Sequence, residues 1–210
     1  MACAICKTRR EKRHCPGVQG EICAICCGEQ REETVKCPLD CEYLQIGHQH
    51  EALVRKDPAG VPNAGVKITR EFLQKNVELV MVLQHAIVGA ALQRDAIDND
   101  VKEGLDGLVR TYQTRGSGLY YESRPVNPMA AAIFDAIQQR VAEMRNAENE
   151  RGVHKILDSQ VLNILILLQH MEYAFNNGRR MGRCFLENLV TTMADFDDPA
   201  EAKSTSLIVS

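Results

Sequence analysis

The sequence predicts a mainly α-helical protein in which a small N-terminal cysteine-rich module with two zinc ions precedes an antiparallel bundle of about five helices. Eight of the nine cysteines lie within the first 41 residues. Beyond residue 66, apolar residues recur at three- and four-residue spacing, and no segment alternates as a half-buried strand does. We therefore expect a cysteine-rich module over residues 1–50, a linker over 57–66, a helical domain over 67–196 and a mostly disordered tail over 197–210.

The eight clustered cysteines have the spacing of metal ligands. Cys3 and Cys6, like Cys23 and Cys26, form CxxC pairs, and a further pair flanks the turn CPLDC. Such short spacers let the backbone fold back so that both sulfurs reach one zinc ion at about 2.3 Å. Eight thiolates suit two four-cysteine sites, formed by Cys3, Cys6, Cys15, Cys23, Cys26, Cys27, Cys37 and Cys41. A single zinc ion, or iron–sulfur clusters that also use four cysteines, are the alternatives.

The adjacent Cys26 and Cys27 indicate how the sulfurs are shared. Neighbouring side chains of an extended backbone point to opposite sides, which favours ligation of two different ions. In this interleaved arrangement one ion takes both CxxC pairs, and the other takes the four remaining cysteines, Cys15, Cys27, Cys37 and Cys41. A sequential arrangement is the alternative: the first four cysteines along the chain share one ion, and His48 or His50 joins the second.

The cysteine order resembles two groups of known proteins. The pattern CxxC, C, CxxCC, CP…C over residues 3–41 is similar to the cross-braced zinc fingers of the HIT, MYND and RING types, and departs from them at the doubled cysteine. That resemblance implies a protein-interaction module. The string CCGEQREETVKCPLDCEYL also resembles the N-terminal motif of uncharacterised bacterial proteins in which such a module precedes a helical domain. This second resemblance implies the architecture and no activity.

An all-cysteine ligand set predicts a structural metal. A catalytic zinc ion usually keeps three protein ligands and an open position for water. Eight cysteines for two ions leave no open position, and four thiolates weaken the Lewis acidity of the ion. The sequence also lacks the motifs GxxxxGK[ST], GxGxxG and GxSxG. We therefore expect a non-enzymatic interaction or adaptor protein with a protein partner; an enzyme with an unrecognised helical-domain site is the less favoured alternative.

The loop KTRREKRH, residues 7–14, gives the alternative function. It carries five Lys or Arg residues against one Glu, among them Arg9, Arg10, Lys12 and Arg13. A basic zinc loop can contact phosphates, so the alternative is a nucleic-acid-associated regulatory factor. The other interpretation is a solvated loop whose charges offset the nearby thiolates. The net charge of −3 argues against a generally basic surface.

The sequence predicts neither export nor a membrane segment. Charged residues begin at Lys7, which is incompatible with the apolar core of a signal peptide. The most apolar stretch, residues 77–93, is too short for a comfortable span and includes Glu78, Gln84 and His85. We expect a cytoplasmic protein, in which clustered thiols bind metal more often than they form disulfides.

The linker and the first helices follow from local signals. The segment DPAGVPNAG contains two Pro and two Gly, which is typical of a loop. Thr69 is suited to cap a helix that runs to about Asp98, and a second helix is expected over roughly 100–114. Asn127 followed by Pro128 predicts the start of a third helix, because Asn127 can cap it and Pro is favoured at the first helical position.

Two further helices complete the predicted bundle. Asp158 is suited to cap a helix that is apolar almost all round and hence central. A last helix is expected over residues 179–195. Self-association through these apolar helices is a further expectation.

The connector between the second and third helices is the expected partner surface. It concentrates three of the five tyrosines together with arginines. Loops with several aromatic and Arg residues are favoured at interfaces. The candidate interface residues are Tyr112, Arg115, Tyr120, Tyr121 and Arg124. The alternative is a connector held by two core tyrosines.

Overall fold

A computed structural model describes residues 2–51, 56–118, 121–152 and 156–197. Within these residues the protein is mainly helical, as predicted, with two short strands and eight α-helices. Tyr120 and the predicted tail beyond Asp197 lie outside the described residues.

The N-terminal module is a two-stranded hairpin followed by two helices. β1 (Arg13–Cys15) pairs antiparallel with β2 (Gly20–Ile22), so that His14 lies opposite Glu21. α1 (Ala24–Gln30) and α2 (Glu42–Glu51) follow. The module's own buried cluster is small, with Ile22 its largest fully buried side chain and cysteines as the other buried members. Such a core is too small to be stable without a further constraint.

The predicted linker contacts the helical domain along its length. It contains a short 3₁₀ helix, Pro58–Gly60, whose preceding Asp57 carbonyl accepts a hydrogen bond from the Tyr173 hydroxyl at 2.7 Å. The Pro62 carbonyl accepts one from His170 Nε2 at 2.8 Å. The segment therefore lies along the helix that carries Tyr173 and His170.

Six helices form the rest of the described structure: α3 (Arg70–Lys75), α4 (Val77–Arg94), α5 (Asp98–Gly116), α6 (Pro128–Glu150), α7 (Asp158–Phe175) and α8 (Cys184–Asp197). α5 packs against both α6 and α7, α4 packs against α6, and α8 packs against α4 and α7. One hydrophobic core lies between them, and its largest fully buried side chains are Tyr112, Phe134 and Phe185.

Two of the three helix starts predicted from capping side chains are confirmed, those at Thr69 and Asn127. The third is wrong, because Asp158 is the first residue of α7 and Leu157 is at the N-cap position. The Thr69 hydroxyl accepts a hydrogen bond from Phe72 N at 3.2 Å and begins α3. Asn127 Oδ1 accepts one from Met129 N at 3.0 Å, and Pro128 is the first residue of α6. These signals are local, and tertiary packing does not override them.

The single helix predicted from Thr69 to about Asp98 is wrong. The helix breaks at Asn76, whose side-chain Nδ2 donates to the Phe72 carbonyl at 2.8 Å. α4 ends at Arg94, because the next residue, Asp95, adopts the left-handed conformation with φ 56°. An Asn side chain that bonds to the nearby backbone competes with the helical pattern, which explains the break.

The last helix begins at Cys184 and not at residue 179. The Asp98 carboxylate, from the start of α5, accepts hydrogen bonds from Phe185 N at 2.9 Å and Leu186 N at 3.1 Å. A buried carboxylate on the free N–H groups of a first turn fixes where the helix starts. Because this cap comes from a distant helix, the sequence around residue 184 does not reveal it.

No helix in the described ranges has the length and the apolar character that crossing a bilayer requires. This includes α4, which carries the most apolar stretch of the sequence.

Two glycines in helices predict opposite effects of substitution by alanine. A Cβ atom at Gly107 in α5 would lie 2.5 Å from the Ser123 carbonyl oxygen, whereas one at Gly89 in α4 would meet nothing within 4 Å. We expect Gly107→Ala to lower the free energy of unfolding by about 1–3 kcal/mol because the connector must move. Gly89→Ala should raise it by up to about 1 kcal/mol through helix propensity. Urea denaturation measures both, and equal effects would contradict the packing of the connector on α5.

Candidate metal centre

Four cysteine sulfurs converge in the N-terminal module. The Sγ atoms of Cys3, Cys6, Cys23 and Cys26 all lie within 4.8 Å of one another, and all four cysteines are free thiols. Tetrahedral zinc with bonds of about 2.3 Å requires sulfurs about 3.8 Å apart, which this arrangement can reach with small shifts. The cluster therefore fits a metal ion, and it contains both CxxC pairs.

Tight backbone geometry presents the first pair. Lys7 N donates to the Cys3 carbonyl at 2.8 Å, and Lys7 itself adopts a left-handed conformation with φ 55°. Cys3 N donates to the Arg9 carbonyl at 2.8 Å, which closes the loop from both sides. The chain folds back on itself between the two sulfurs, as a CxxC metal ligand pair requires.

A helix N-terminus presents the second pair. Cys23 caps α1, and its sulfur accepts a hydrogen bond from Cys26 N at 3.4 Å. Cys23 N in turn donates to Cys3 Sγ at 3.2 Å. N–H groups directed at sulfur stabilise the thiolate that a metal ion needs.

The pKa values of the cluster also fit a cation. Hydrogen bonds from the Thr8 hydroxyl, and then from the amides of Thr8 and Arg9, lower the pKa of Cys6 to about 5. Burial raises the pKa of Cys26 to about 12, and hydrogen bonds to the other thiols add to this effect. The four groups cannot all ionise beside one another without a positive charge, and a divalent ion supplies that charge.

The other four clustered cysteines are not brought together to the same degree. No three of the sulfurs of Cys15, Cys27, Cys37 and Cys41, all within the described residues, lie within 4.8 Å of one another. Burial raises the pKa of Cys37 to about 11, and the charge of Glu32, followed by those of Cys15 and Cys41, adds to this rise. Cys27 Sγ accepts a hydrogen bond from Arg13 at 3.7 Å.

The distribution of sulfurs agrees with the first half of the interleaved arrangement. Cys26 is in the cluster whereas the adjacent Cys27 contacts Arg13. Cys15, which the sequential arrangement places with Cys3, is outside the cluster.

His48, considered as a ligand of the second ion, lies elsewhere. Its Nε2 is 2.8 Å from Glu32 Oε2, and its Nδ1 contacts Glu187 Oε2. The imidazole is 4% exposed and joins α2 to α8. His50 is exposed on the same helix.

Glu32 is the centre of the contacts between the module and the helical domain. It is fully buried, with a left-handed backbone at φ 55°. Its Oε1 accepts from Arg183 N at 2.7 Å and its Oε2 from Asn177 Nδ2 at 2.7 Å. Its carbonyl accepts from Met181 N at 2.6 Å. One side chain thus fixes the loop that precedes α8.

Glu51, at the end of α2, forms the other anchor. Its Oε1 accepts from Arg179 Nε at 3.1 Å and from Arg31 at 3.2 Å. Its Oε2 accepts from Asn177 Nδ2 at 2.9 Å. Arg179 also donates to the Arg31 carbonyl at 2.8 Å. We call the six charged residues of this interface the docking network: Arg31, Glu32, His48, Glu51, Arg179 and Glu187.

The docking network is electrically balanced without a metal ion. Its three carboxylates face two guanidinium groups and one imidazolium. Burial alone would lower the pKa of His48, but hydrogen bonds to Cys184, Glu187 and Glu32 raise it to about 12. Burial likewise opposes ionisation of Glu32, yet its hydrogen bonds, above all from His48, lower its pKa. Although Glu32, His48 and Glu51 lie close enough to share a cation, their charges are already paired.

Sequence reasoning missed the docking network. Its members come from segments more than 100 residues apart, and no motif links them. The one local signal is the placement of His48 and Glu51 on consecutive turns of α2.

The predicted basic loop is partly turned towards the sulfurs. The Arg9 side chain hydrogen-bonds to Cys23. The Arg13 guanidinium lies 4.1 Å from the centre of the Tyr43 ring in addition to its contact with Cys27. Arg10 and Lys12 are exposed.

The structure separates the predicted interface residues. Tyr112 is 1% exposed and lies in the core, so its inclusion in a partner surface is wrong; its spacing on α5 places it on the inner face. Arg115 lies 5.0 Å from the Tyr112 ring and 3.5 Å from Glu122. Arg124 forms a two-pronged ion pair with Asp135 at 2.6 and 2.9 Å. Tyr121 is 68% exposed, and Tyr120 lies outside the described residues.

Comparisons with protein-family models, with curated proteins and with solved structures give no significant match to this chain.

The docking network predicts a fall in stability with rising pH between pH 7 and 8.5. The folded pKa of His48 lies far above its ordinary value of 6.5, so above pH 6.5 the folded protein holds a proton that the unfolded chain has released. The stabilisation is complete below pH 6.5 and is lost as the pH rises towards the folded pKa, by at most about 1.4 kcal/mol per pH unit. Urea unfolding should show this slope in the wild type and a flatter profile for His48→Gln.

His50→Gln is the matched control, because His50 is exposed on the same helix. It should keep the wild-type slope. A slope in His48→Gln equal to that of the wild type would contradict the proton assignment.

Proposed function

We propose that this chain is a non-enzymatic, zinc-binding interaction or adaptor protein. Zinc holds the N-terminal module in shape, and the docking network attaches that module to the helices. The protein then presents a fixed surface to a protein partner. The observation that carries this proposal is the convergence of four thiols, with N–H groups directed at their sulfurs.

The ligand set supports a structural role for the ion. Four sulfurs complete a tetrahedral shell and leave no position for water or substrate. The cluster lies next to helix α1 and the β1–β2 hairpin, and the only large apolar side chain fully buried there is Ile22. In small modules of this kind, metal binding supplies the folding free energy that the core lacks.

A second zinc ion on Cys15, Cys27, Cys37 and Cys41 completes the proposal. The raised pKa of Cys37 reflects burial first, then the charge of Glu32, and then the charges of Cys15 and Cys41, so these two thiols lie within electrostatic reach of Cys37. Binding of a cation would draw the four sulfurs closer together than they lie in this structure. The division of Cys26 and Cys27 between two surroundings supports the assignment.

Elemental analysis of protein purified without added metal tests both sites. We expect about two zinc ions per chain. Cys23→Ser should remove one and Cys37→Ser the other, whereas Cys184→Ser, a buried cysteine in α8, should leave both. If the wild type contains one zinc ion per chain, and Cys37→Ser contains the same amount, the second site is removed from the proposal. Iron with visible absorbance would overturn the choice of zinc.

The nucleic-acid alternative receives less support from the geometry. Two of the four arginine and lysine side chains predicted to contact phosphate, Arg9 and Arg13, are engaged with sulfurs. Arg10 and Lys12 remain exposed, which is a small patch on a chain of net charge −3. Proteins that bind nucleic acid through their backbone phosphates usually neutralise several phosphates at once.

Two matched variants separate the partner classes. We expect a partner protein to co-purify with the full chain in near-equal amounts. The double variant Arg115→Ala with Tyr121→Ala should reduce its binding about tenfold or more. The pair Arg10→Glu and Lys12→Glu should have no effect. Binding of labelled DNA or RNA that falls steeply with salt and is lost in the second pair would overturn the proposal in favour of nucleic acid.

A further inference from the structure

An apolar groove lies between the first half of α4 and the second half of α6. It encloses about 660 Å³, and five of its nine lining residues are apolar, Val77, Met81, Val82, Met144 and Ala147, while the other four are polar or charged, among them Arg140 and Glu143. Val77 is 49% exposed. Solvent-facing apolar side chains gathered in one concave place usually mark a surface that something covers.

The groove has a defined direction. Its apolar part pairs residues near the start of α4 with residues near the end of α6. Beyond His85 the same cleft continues towards the end of α4, where Arg94 and Asp135 make it polar. The two helices are therefore antiparallel here, and the apolar part lies at the end of the molecule where α4 begins.

The start and the length of helix α8 direct it towards this same end of the molecule. Its first turn is held at the α4–α5 corner, because Asp98 caps Phe185 N and Arg183 contacts Asp95 at 3.4 Å. From there α8 packs along α4. Fourteen residues at 1.5 Å per residue extend about 21 Å, the same length as the stretch of α4 from Arg94 back to Met81, so we infer that α8 ends near the start of α4.

The sequence after Asp197 contains an apolar segment within reach of the groove. Residues 198–206 are DPAEAKSTS, and Leu207, Ile208 and Val209 follow. These nine residues can span up to about 30 Å in an extended conformation. The diameter of a helix with its side chains is on the order of 10–12 Å, so the segment is long enough to pass around one helix. Leu207–Val209 are the only three consecutive large apolar residues in this part of the sequence.

We propose that Leu207, Ile208 and Val209 bind in the α4–α6 groove of their own chain. Met81 and Met144 provide the flexible thioether surface that accommodates branched aliphatic side chains. The segment between Asp197 and Leu207 acts as a tether, so the groove meets its occupant at a high effective concentration. This inference is independent of the zinc sites and of the proposed partner.

Photo-cross-linking in the full chain tests the proposal. With Ile208→p-benzoylphenylalanine, irradiation should yield cross-links to Met81 or Met144 within a single chain, identified by mass spectrometry of the monomer band. Met81→Glu should reduce these cross-links at least fivefold. Val126→Glu, at a residue that is 98% exposed away from the groove, should leave them unchanged.

An apolar dye gives a second readout that does not use the modified residue. Leu207→Asp with Ile208→Asp should uncover the groove and raise the fluorescence of 1-anilinonaphthalene-8-sulfonate several-fold, and adding Met81→Glu should abolish the rise. Cross-links that join two chains would overturn the proposal in favour of a second copy. Cross-links scattered over other helices, or no change in dye fluorescence, would overturn it outright. Far-UV circular dichroism of each variant checks that the helices are intact.

Discussion

The ion pair between Glu32 and His48 is the interaction on which the two parts of the structure depend. Both side chains are almost completely removed from water, and they contact each other at 2.8 Å within the N-terminal module. The same two side chains reach the helical domain, because Glu32 accepts hydrogen bonds from Asn177 and Arg183 N and His48 contacts Glu187. Burial of either charge alone would be costly, so each requires the other. The pair therefore specifies one position of the module relative to α8, and contributes more to specificity than to net stability.

The cysteine cluster and the docking network are mechanically connected. Cys23 caps α1, and the loop that follows α1 carries Glu32 in a left-handed backbone conformation. The position of the Glu32 carboxylate thus depends on the direction of α1, and that direction depends on where the four sulfurs are held. A metal ion that fixes the sulfurs would also fix Glu32 towards Asn177 and Arg183. Such an ion would then influence contacts beyond the module.

Local signals in the sequence were reliable, and tertiary ones were not visible. Thr69 and Asn127 cap helices because each finds its partner within three residues. The sequence also predicted that the adjacent Cys26 and Cys27 point to different surroundings. They do so on helix α1, whereas the prediction assumed an extended backbone. By contrast, the start of α8 depends on Asp98, 86 residues earlier, which no local pattern indicates. Tyr112 differs from both, because its spacing on α5 already indicates the buried face, and the composition of the connector misled the interface prediction.

Cys184, His48 and Glu187 together contain the functional groups of a thiol hydrolase, and their geometry explains why they support no such role. A general base must have a nitrogen free to accept the proton of the thiol. Both nitrogens of His48 contact carboxylates, and its pKa is raised to about 12, so that the ring is an imidazolium under ordinary conditions. An imidazolium has no free nitrogen lone pair with which to accept the proton of the thiol. The contacts that join α2 to α8 therefore occupy both nitrogens of His48 and leave it unable to act as a base for Cys184.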